Sequence, residues 1–592
     1  MIENKKQSVL GGALVLSAGV IIVTVIGLIF KISMTAYIGG VGRGYFNSAY
    51  ELYTPIYAIS MAGLPIAVAR LVSESVALKH YKEARMIFTI TRRMFFYIGI
   101  VGTIIIFLLA YPYTHLVADP RNFPAVMSIS PSLFFCCMMS AYRGYFEGLR
   151  NMKPTSVSQI YEAVVKLVFG LAISYTIMKT GLSHYNATGM VFGKKASNLA
   201  DAYSHLYPIS AAGAILGVTL GTVIGTAYLI ILYKRKGDGI TLENLNDSPI
   251  PPSRKSIRKR IIITAIPMAT SALVLNITNL IDTVTIQTRL TSAVSKNAGL
   301  IKSMYAGSIA AAHIVDKDIV KYLWGVYGAA LDFKSLMPMI VVSLGVSALP
   351  ALSAAWATND HKSAKETVET VLRITMLMSL PTGIGIAVLA TPILTLLYGR
   401  GDSADIISIA APLVAVYGYA TALMSVSTPI TNMLQAIGRA EIPLKSLAIG
   451  AIAKIICNFT LVGTPRFNIK GAPFGSIVCY TIIVGMNLYY LLKISKVRPN
   501  IISVLIKPLT AAALSGVTAK LSYVLLYKTL NSGYPAVDMK SMAIATVVSI
   551  ISAFIVFTIS IILLKGMTRE DVSALPGGKN IAKVLDKYSL LG

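Results

Sequence analysis

Long apolar stretches alternate with short polar stretches along almost the whole chain. Each apolar stretch is close to the length of roughly 20 residues that an α-helix needs to cross the hydrocarbon core of a bilayer. The pattern therefore predicts an all-α integral membrane protein with about fourteen transmembrane helices. The predicted spans are 9–32, 45–69, 94–114, 124–148, 155–178, 208–233, 261–286, 322–352, 371–396, 405–430, 444–463, 474–493, 501–527 and 541–565.

A block of six predicted spans occurs twice. The segment 63–70 (GLPIAVAR) is echoed by 347–354 (SALPALSA), and the anchors Gly148, Pro154 and Lys166 are echoed further along the second block. The matching anchors there are Gly438, Pro443 and Lys454. Because each half has an even number of spans, both halves enter the membrane in the same sense, and two pseudo-symmetric lobes are expected to face each other across a central cavity. This organisation favours a transporter.

The repeat also predicts the division of the chain into parts. We expect an N-lobe at 1–233, a basic cytoplasmic linker at 234–260, a C-lobe at 261–493, and a final helix pair with a cytoplasmic tail at 494–592. A flexible connection between the two lobes accounts for the composition of the linker.

Composition agrees with a membrane protein and argues against nucleic acid as a partner. The 592 residues are 55% hydrophobic and only 13% charged, and the formal net charge is +28. Most of the excess lies in short loops beside helix ends, where anionic lipid headgroups attract it. Alternate loops carry roughly 33 against 16 Lys and Arg residues, so the positive-inside rule places the richer side and both termini in the cytoplasm. The expected location is the plasma membrane.

Cysteine and histidine give no sign of a metal site or a cofactor. All four cysteines lie inside apolar spans, where free cysteine behaves as a small hydrophobic residue. The six histidines are scattered over loops without the paired spacing of metal ligands. We therefore expect no cofactor, with coupling to the membrane potential, H⁺ or Na⁺ left open.

Ionisable residues inside the spans are mainly cationic. Each costs about 2.5–3.5 kcal/mol at a helix centre unless it is paired or hydrated, which makes these residues candidates for function. Lysines from both lobes are predicted to line the cavity and to bind a polyanionic headgroup such as a pyrophosphate: Lys31, Lys166, Lys334 and Lys454. Their anionic partners in the cavity are predicted to be Glu51, Glu162 and Asp332. Alternatively, Glu162 and Lys166 satisfy each other, because they are four residues apart on one helix face.

Two further sets of polar residues have both a functional and a structural interpretation. A possible ion site consists of Asn276, Asn279 and Asp282 along the seventh span with Asn458, although hydrogen bonding between helices is the commoner role. A possible cytoplasmic gate consists of two pairs with i, i+4 spacing, Arg70 with Glu74 and Arg143 with Glu147. Exposed pairs of this kind are usually only part of the surface.

Three segments carry a resemblance to known families. Residues 140–155 (SAYRGYFEGLRNMKPT) resemble the arginine-glycine to proline signature of polysaccharide-exporter-type proteins of the MOP superfamily. Residues 63–74 are similar to the end of the second helix in the stage V sporulation protein B and YtgP branch. Residues 332–338 together with 347–353 resemble the eighth helix of MurJ-type lipid II flippases.

The resemblance covers nearly the whole chain and implies a non-enzymatic function. It implies that the protein flips undecaprenyl-pyrophosphate-linked peptidoglycan precursor from the inner to the outer leaflet by alternating access. A cationic central cavity would take the headgroup, and a groove at the last two helices would take the lipid tail. Lys31 and Lys334 fall beside positions where the family has arginines, whereas Thr24 stands where another arginine is expected. The implied partners are a polyprenyl-linked glycan, membrane lipids and the cell-wall synthesis machinery.

Other functions stay open at this point. The closest alternative is a flippase for another polyprenyl-linked glycan, such as a capsule or teichoic unit, in vegetative growth or sporulation. A cation-coupled multidrug exporter is disfavoured, because its cationic substrates would require carboxylates where lysines predominate. A polytopic glycosyltransferase would need a constellation of carboxylates that the outer loops do not show.

Overall fold

The first part of the chain is a series of long helices joined by short turns. The computed structural model describes residues 9–58, 64–358, 360–399, 404–531 and 539–573. Its first elements are α1 (Val9–Ala58), α2 (Leu64–Ala77), α3 (Tyr81–Leu116), α4 (Phe123–Ile129), α5 (Ser132–Gly148), α6 (Lys153–Thr188), β1 (Met190–Val191), β2 (Lys194–Lys195), α7 (Leu199–Lys236), α8 (Leu242–Asn246) and α9 (Arg254–Lys296). The two strands form one antiparallel hairpin between α6 and α7.

The remaining described residues are also helical. They form α10 (Ala298–Met304), α11 (Ala306–Ala311), α12 (Ile319–Ala357), α13 (His361–Val388), α14 (Ala390–Tyr398), α15 (Ile407–Ala436), α16 (Glu441–Cys457), α17 (Ala472–Ser495), α18 (Lys507–Leu530), α19 (Met539–Leu563) and α20 (Arg569–Ser573). Single turns of 3₁₀-helix precede α4, α12, α15 and α17, and a π-helical turn follows α16 and another precedes α18.

The predicted all-α membrane fold is confirmed. Among the described residues, eleven helices are long and apolar enough to cross a membrane. The number fourteen stays a prediction, although the described residues of the predicted spans are helical except for short turns at 130–131, 389, 463 and 564–565. Residues 59–63 of the second predicted span and the predicted tail beyond residue 573 lie outside the described residues.

The first helix is bent at one residue. Gly39 has φ 60° and ψ −172° inside α1, so the glycine-rich segment that follows it continues as helix after a sharp change of direction. This backbone conformation is essentially restricted to glycine, because a Cβ atom would clash with the main chain. The helical segment before Gly39 therefore carries the first predicted span, and the segment after it carries the start of the second.

Helices α6 and α7 pack with their backbones in close contact. A Cβ atom on Gly217 of α7 would lie 2.3 Å from Cα of Gly170 in α6, so no side chain fits at that point. The two helices have 36 and 38 residues, which corresponds to about 54 and 57 Å at the helical rise of 1.5 Å per residue. Both are much longer than a hydrocarbon core of about 30 Å, so they extend beyond the membrane as a rigid pair.

The contacts divide the chain into two compact units. The first unit comprises the described residues up to Ser292 together with Ile309–Gly325. The second unit comprises Ala293–Ser308 and the described residues from Val326 onward. The four-part division drawn from the sequence stays a prediction.

The end of the chain that the structure describes is fixed to the second unit. Arg373 of α13 forms a buried ion pair with Asp571 of α20, with Nε and Oδ2 2.6 Å apart. The same guanidinium donates to Thr568, whose backbone N–H donates in turn to the Asp571 carboxylate. This network holds the short connection between α19 and α20 in contact with α13.

Candidate functional site

In the first unit, the predicted cavity lysines lie where α1 packs against α6. Lys166 is half-buried, and its Nζ atom stands 5.5 Å from the centre of the Phe30 ring. Lys31 is also half-buried, and its charge acts on Lys166 together with that of Glu162. Two cations and one carboxylate therefore share this region, which leaves it with an excess of positive charge suited to an anion.

Glu162 has a second and closer partner. Its Oε2 atom lies 3.3 Å from Nη2 of Arg143, which is buried in α5 and also donates to the Ser158 hydroxyl. The proposed mutual satisfaction of Glu162 and Lys166 is therefore only part of the arrangement. Glu51, the other predicted anionic partner in this unit, is half-buried on α1.

In the second unit, Lys334 lies between two aromatic rings. Its Nζ atom is 5.7 Å from the centre of the Tyr417 ring and 5.8 Å from that of Tyr480. The hydroxyl of Tyr417 is in turn 2.5 Å from that of Tyr327, which fixes one of the two rings. Asp332 is half-buried two residues before Lys334. A cation flanked by rings offers charge and flat apolar faces to the same ligand.

Lys454 differs from the other three lysines because it is buried. Only 4% of it is exposed, and it lies with Asn458 against Gly475 of α17. Its position corresponds to that of Lys166 in the sequence repeat, but the two side chains have different surroundings. In this conformation Lys454 belongs to the packing between α16 and α17.

The predicted gate residues have further partners beyond the predicted i, i+4 pairs, and the gate stays a prediction. Glu74 forms an ion pair with Arg260 at the start of α9, at 3.3 Å, while the exposed Arg70 has no ion pair with any described residue. Glu147 accepts a hydrogen bond from the Thr155 hydroxyl at 2.9 Å. Glu74 is thus paired with a charged residue of another helix rather than with Arg70, which lies four residues before it.

The polar stripe on the seventh predicted span lies on α9. Asp282 is buried, whereas Asn276 is half-buried and Asn279 is exposed. Asn458 is buried in the second unit. The ion site stays a prediction, and no group of three or more His, Cys, Asp or Glu that fits a metal ion occurs among the described residues.

A buried polar network in the first unit was not predicted from the sequence. Arg121 forms ion pairs with Asp119 at 3.0 Å and with Asp318 at 2.7 Å, and Asp119 also accepts a hydrogen bond from Tyr45. Burial raises the pKa of Asp318, and the neighbouring Arg121 opposes that effect. The pairs connect α1 and the turn before α4 to the turn before α12.

A buried lysine continues this network. Lys321 is 1% exposed, and its Nζ atom donates to Gln287 of α9 at 2.6 Å and to Ser48 of α1 at 3.3 Å. The partners are far apart in the sequence, and no spacing motif connects them. The sequence indicated only that Arg121, Asp318 and Lys321 lie beside the ends of predicted apolar spans.

Two family models match the chain. The model described as polysaccharide biosynthesis protein matches residues 9–356, and the model described as lipid II flippase MurJ matches residues 325–532. Similar proteins of Bacillus subtilis (strain 168) include the uncharacterized membrane protein YabM, 21% identical over 98% of this chain and 97% of YabM. Stage V sporulation protein B is 22% identical over 85% of this chain and 86% of its own length. The lipid II flippase MurJ is 23% identical over 77% of this chain and 78% of its own length.

Solved structures show the same fold at low sequence identity. The lipid II flippase MurJ in an inward closed conformation superposes with a TM-score of 0.60 at 14% identity, over 93% of this chain and 99% of that chain. An inward-facing transporter of the multidrug resistance MATE family of the MOP superfamily superposes with a TM-score of 0.61 at 12% identity. The match covers 82% of this chain and 98% of that chain. The match to the first family model covers more than half of the chain, so this protein belongs to the polysaccharide biosynthesis protein family.

Proposed function

We propose that this protein is a flippase that moves lipid II, the undecaprenyl-pyrophosphate-linked peptidoglycan precursor, from the inner to the outer leaflet by alternating access. The observation that carries the proposal is Lys334 between the rings of Tyr417 and Tyr480. An ammonium group matches a phosphate oxygen, and tyrosine rings provide flat faces against which sugar rings pack. The match of residues 325–532 to the MurJ model covers all three residues and supports the same assignment.

The proposal gives Lys31, Lys166 and Lys334 the task of binding the anionic headgroup. All three are half-buried, which leaves part of each side chain accessible to a ligand. Glu51, Glu162 and Asp332 would balance these charges when no substrate is bound. Lys454 is proposed to act from within the helix packing, as a fixed charge rather than a direct ligand.

The remaining predicted sites fit the same cycle. Arg70, Glu74, Arg143 and Glu147 would exchange ion-pair partners as the cytoplasmic side opens and closes. Asn276, Asn279, Asp282 and Asn458 would provide a site for a coupling ion. With both termini in the cytoplasm, the membrane potential would favour outward movement of an anionic headgroup, because the inside is negative.

A second candidate is a flippase for another polyprenyl-linked glycan. The match to stage V sporulation protein B along 86% of its length favours this alternative. Both substrate classes contain pyrophosphate and sugars, so the cation and the rings would serve either one.

The test uses cells depleted of their own lipid II flippase. The protein would be expressed in them, and exposed lipid II would be measured by cleavage with an enzyme added outside the cells. We expect cleavage to be restored by the wild-type protein and to fall at least about tenfold in Lys334→Ala, because a charge-assisted contact of about 1.5–3 kcal/mol is lost. Lys445→Ala is the matched control, since Lys445 is an exposed lysine of the same unit.

The outcomes separate the two candidates. If the wild-type protein is inserted in the membrane at normal levels and no lipid II is cleaved, lipid II is not the substrate in that host. Measuring the export of other polyprenyl-linked glycans would then test the alternative. Equal cleavage in Lys334→Ala and Lys445→Ala would refute the assignment of Lys334 to headgroup binding.

A further inference from the structure

The connection between α7 and α9 is held in place at its beginning. Arg85 of α3 forms two parallel hydrogen bonds to the Asp238 carboxylate, at 2.7 and 2.8 Å, and a third to the carbonyl of Ile240 at 3.1 Å. Tyr145 of α5 donates to the same carboxylate at 2.8 Å. Burial acts to raise the pKa of Asp238, but the hydrogen bonds from Arg85 and Tyr145 outweigh it and hold the pKa below its usual value.

A second set of contacts holds the end of the connection. The backbone N–H of Lys82 donates to the hydroxyl of Ser248, and its Nζ atom donates to the carbonyl of the same residue, both at 3.0 Å. Arg260 in the second turn of α9 pairs with Glu83 at 2.6 Å and with Glu74 at 3.3 Å. The sequence predicted a flexible linker, but polar contacts to the starts and ends of α2, α3 and α5 fix it on the first unit.

The rest of this connection exposes two large apolar side chains. Leu242, the first residue of α8, is 79% exposed, and Ile250, two residues after the anchored Ser248, is 91% exposed. Isolated apolar side chains on a surface are common. Here, however, they belong to an anchored segment, and basic residues precede and follow that segment in the sequence.

Seven exposed cations flank the two apolar side chains in the sequence, at the end of α7 and the start of α9. No side-chain hydrogen bond or ion pair joins any of them to another residue in the part of the chain that the structure describes. They are Lys234, Arg235, Lys236, Arg254, Lys255, Arg258 and Lys259. These seven residues with Leu242 and Ile250 are called the linker surface below.

Helix stability does not explain the cations at the start of α9. Arg254 and Lys255 occupy the first turn of that helix, where the helix dipole favours anions and disfavours cations. The backbone N–H of Ser256 donates to the Ser253 hydroxyl, so the start of the helix is capped without Arg254 and Lys255. A ligand of opposite charge would account for their presence.

The cations of the linker surface lie directly beside the apolar runs of α7 and α9. The apolar run of α9 begins at Ile261, so Arg254–Lys259 lie within two turns of it, or about 10 Å along the helix. Lys234–Lys236 follow the apolar run of α7 directly. Both groups of cations therefore flank the hydrocarbon core at the distance where phosphate groups of a bilayer are found.

We propose that the linker surface binds acidic phospholipids of the inner leaflet, with the cations on the phosphate groups and with Leu242 and Ile250 inserted among the acyl chains. Apolar insertion beside clustered cations is the usual composition of segments that bind anionic bilayers. Because the connection is fixed to α3 and α5, the bound lipids would hold the cytoplasmic side of the first unit. This inference does not depend on which substrate the protein transports.

The test uses the full-length protein in nanodiscs. Ile250→Cys would carry an environment-sensitive fluorophore, and brominated lipids would report its insertion by quenching. The wild-type protein, treated with the same fluorophore, would give the background from the native cysteines. The discs would contain phosphatidylcholine alone or phosphatidylcholine mixed with phosphatidylglycerol. We expect quenching that increases with phosphatidylglycerol.

Two double variants in the Ile250→Cys background provide the comparison. Arg258→Gln with Lys259→Gln should lower the apparent affinity for phosphatidylglycerol by about fivefold per charge removed, because each cation near an anionic surface contributes about 1 kcal/mol. Lys194→Gln with Lys195→Gln removes two equally exposed charges from the β-hairpin and should leave the quenching unchanged. Leu242→Cys is the second labelling site, to be used if Ile250→Cys is not obtained in folded form.

Three results would overturn the proposal. The first is quenching that is independent of phosphatidylglycerol, and the second is an equal loss in the two double variants. The third is quenching that is absent in both lipid mixtures but a fluorescence shift that appears when cytosolic protein is added, since this would identify a protein as the occupant.

Discussion

The buried ion pair between Arg373 and Asp571 permits a quantitative prediction. The side chains are 6% and 1% exposed, and the second pair of atoms, Nη2 and Oδ1, lies 3.0 Å apart. Replacing Arg373 with Met keeps most of the side-chain length but leaves the Asp571 carboxylate buried without its charged partner. Removal of one member of a buried pair costs about 3–5 kcal/mol, and we expect Arg373→Met to lower the free energy of unfolding by that amount.

The reference is an exposed ion pair on the same helix. Lys365 and Glu369 are 3.8 Å apart with side chains 50% and 17% exposed, and such surface pairs contribute about 0–1 kcal/mol. Lys365→Met should therefore change the free energy of unfolding by no more than about 1 kcal/mol. A double variant, Arg373→Met with Asp571→Leu, should recover most of the lost stability, because no buried charge is left unpaired.

The assay is reversible unfolding in mixed detergent micelles, combined with hydrogen exchange of the amides of α20. Arg373→Met should lower the free energy of unfolding and also accelerate exchange in α20, since that helix is attached to α13 through this pair. Our reasoning would be refuted if Arg373→Met and Lys365→Met had equal effects. It would also be refuted if the double variant were no more stable than Arg373→Met alone.

Three further predictions concern the first unit. Gly217→Ala should destabilise the protein by about 1–3 kcal/mol in the same assay, because its Cβ would lie 2.3 Å from the backbone of α6, whereas Gly27→Ala has open space and should be nearly neutral. Asp238→Asn should lower the free energy of unfolding at pH values above about 4, the ordinary pKa of a carboxyl group. The difference from wild type should vanish as the pH falls through the lowered pKa of Asp238. Arg121→Gln should cost about 3–5 kcal/mol, because two buried carboxylates lose their cation, and Lys317→Gln about 0–1 kcal/mol, because that pair is exposed. Comparable losses for Arg121→Gln and Lys317→Gln, or for the two glycine variants, would contradict the structural assignment.

Much of the fold follows from the sequence for a simple reason. In a bilayer the backbone must satisfy its own hydrogen bonds, so a long apolar stretch has essentially one option, which is a helix. The positions of Lys166 and Lys334 inside spans could likewise be read from hydropathy alone. The bend at Gly39 could not, because the segment after it contains three more glycines and resembles a turn.

Side-chain partners were much harder to predict. Arg121 and Asp318 are 197 residues apart, and Glu74 and Arg260 are 186 residues apart, so only the packed structure brings them together. Local spacing rules describe an isolated helix, and they fail when another helix supplies a stronger partner. The linker is an example of the same limit, since it is fixed by partners of Asp238 and Ser248 that lie far away in the sequence.

The bend at Gly39 has a consequence for how sequence variation acts on this protein. A straight helix accepts alanine at that position, whereas the bent form would store about 1–3 kcal/mol of backbone strain. A single methyl group at residue 39 would thus disfavour the bent backbone by a factor of about 5–150 relative to a straight one. Variation at residue 39 would therefore act through the direction of the chain after the bend rather than through the loss of a side-chain contact.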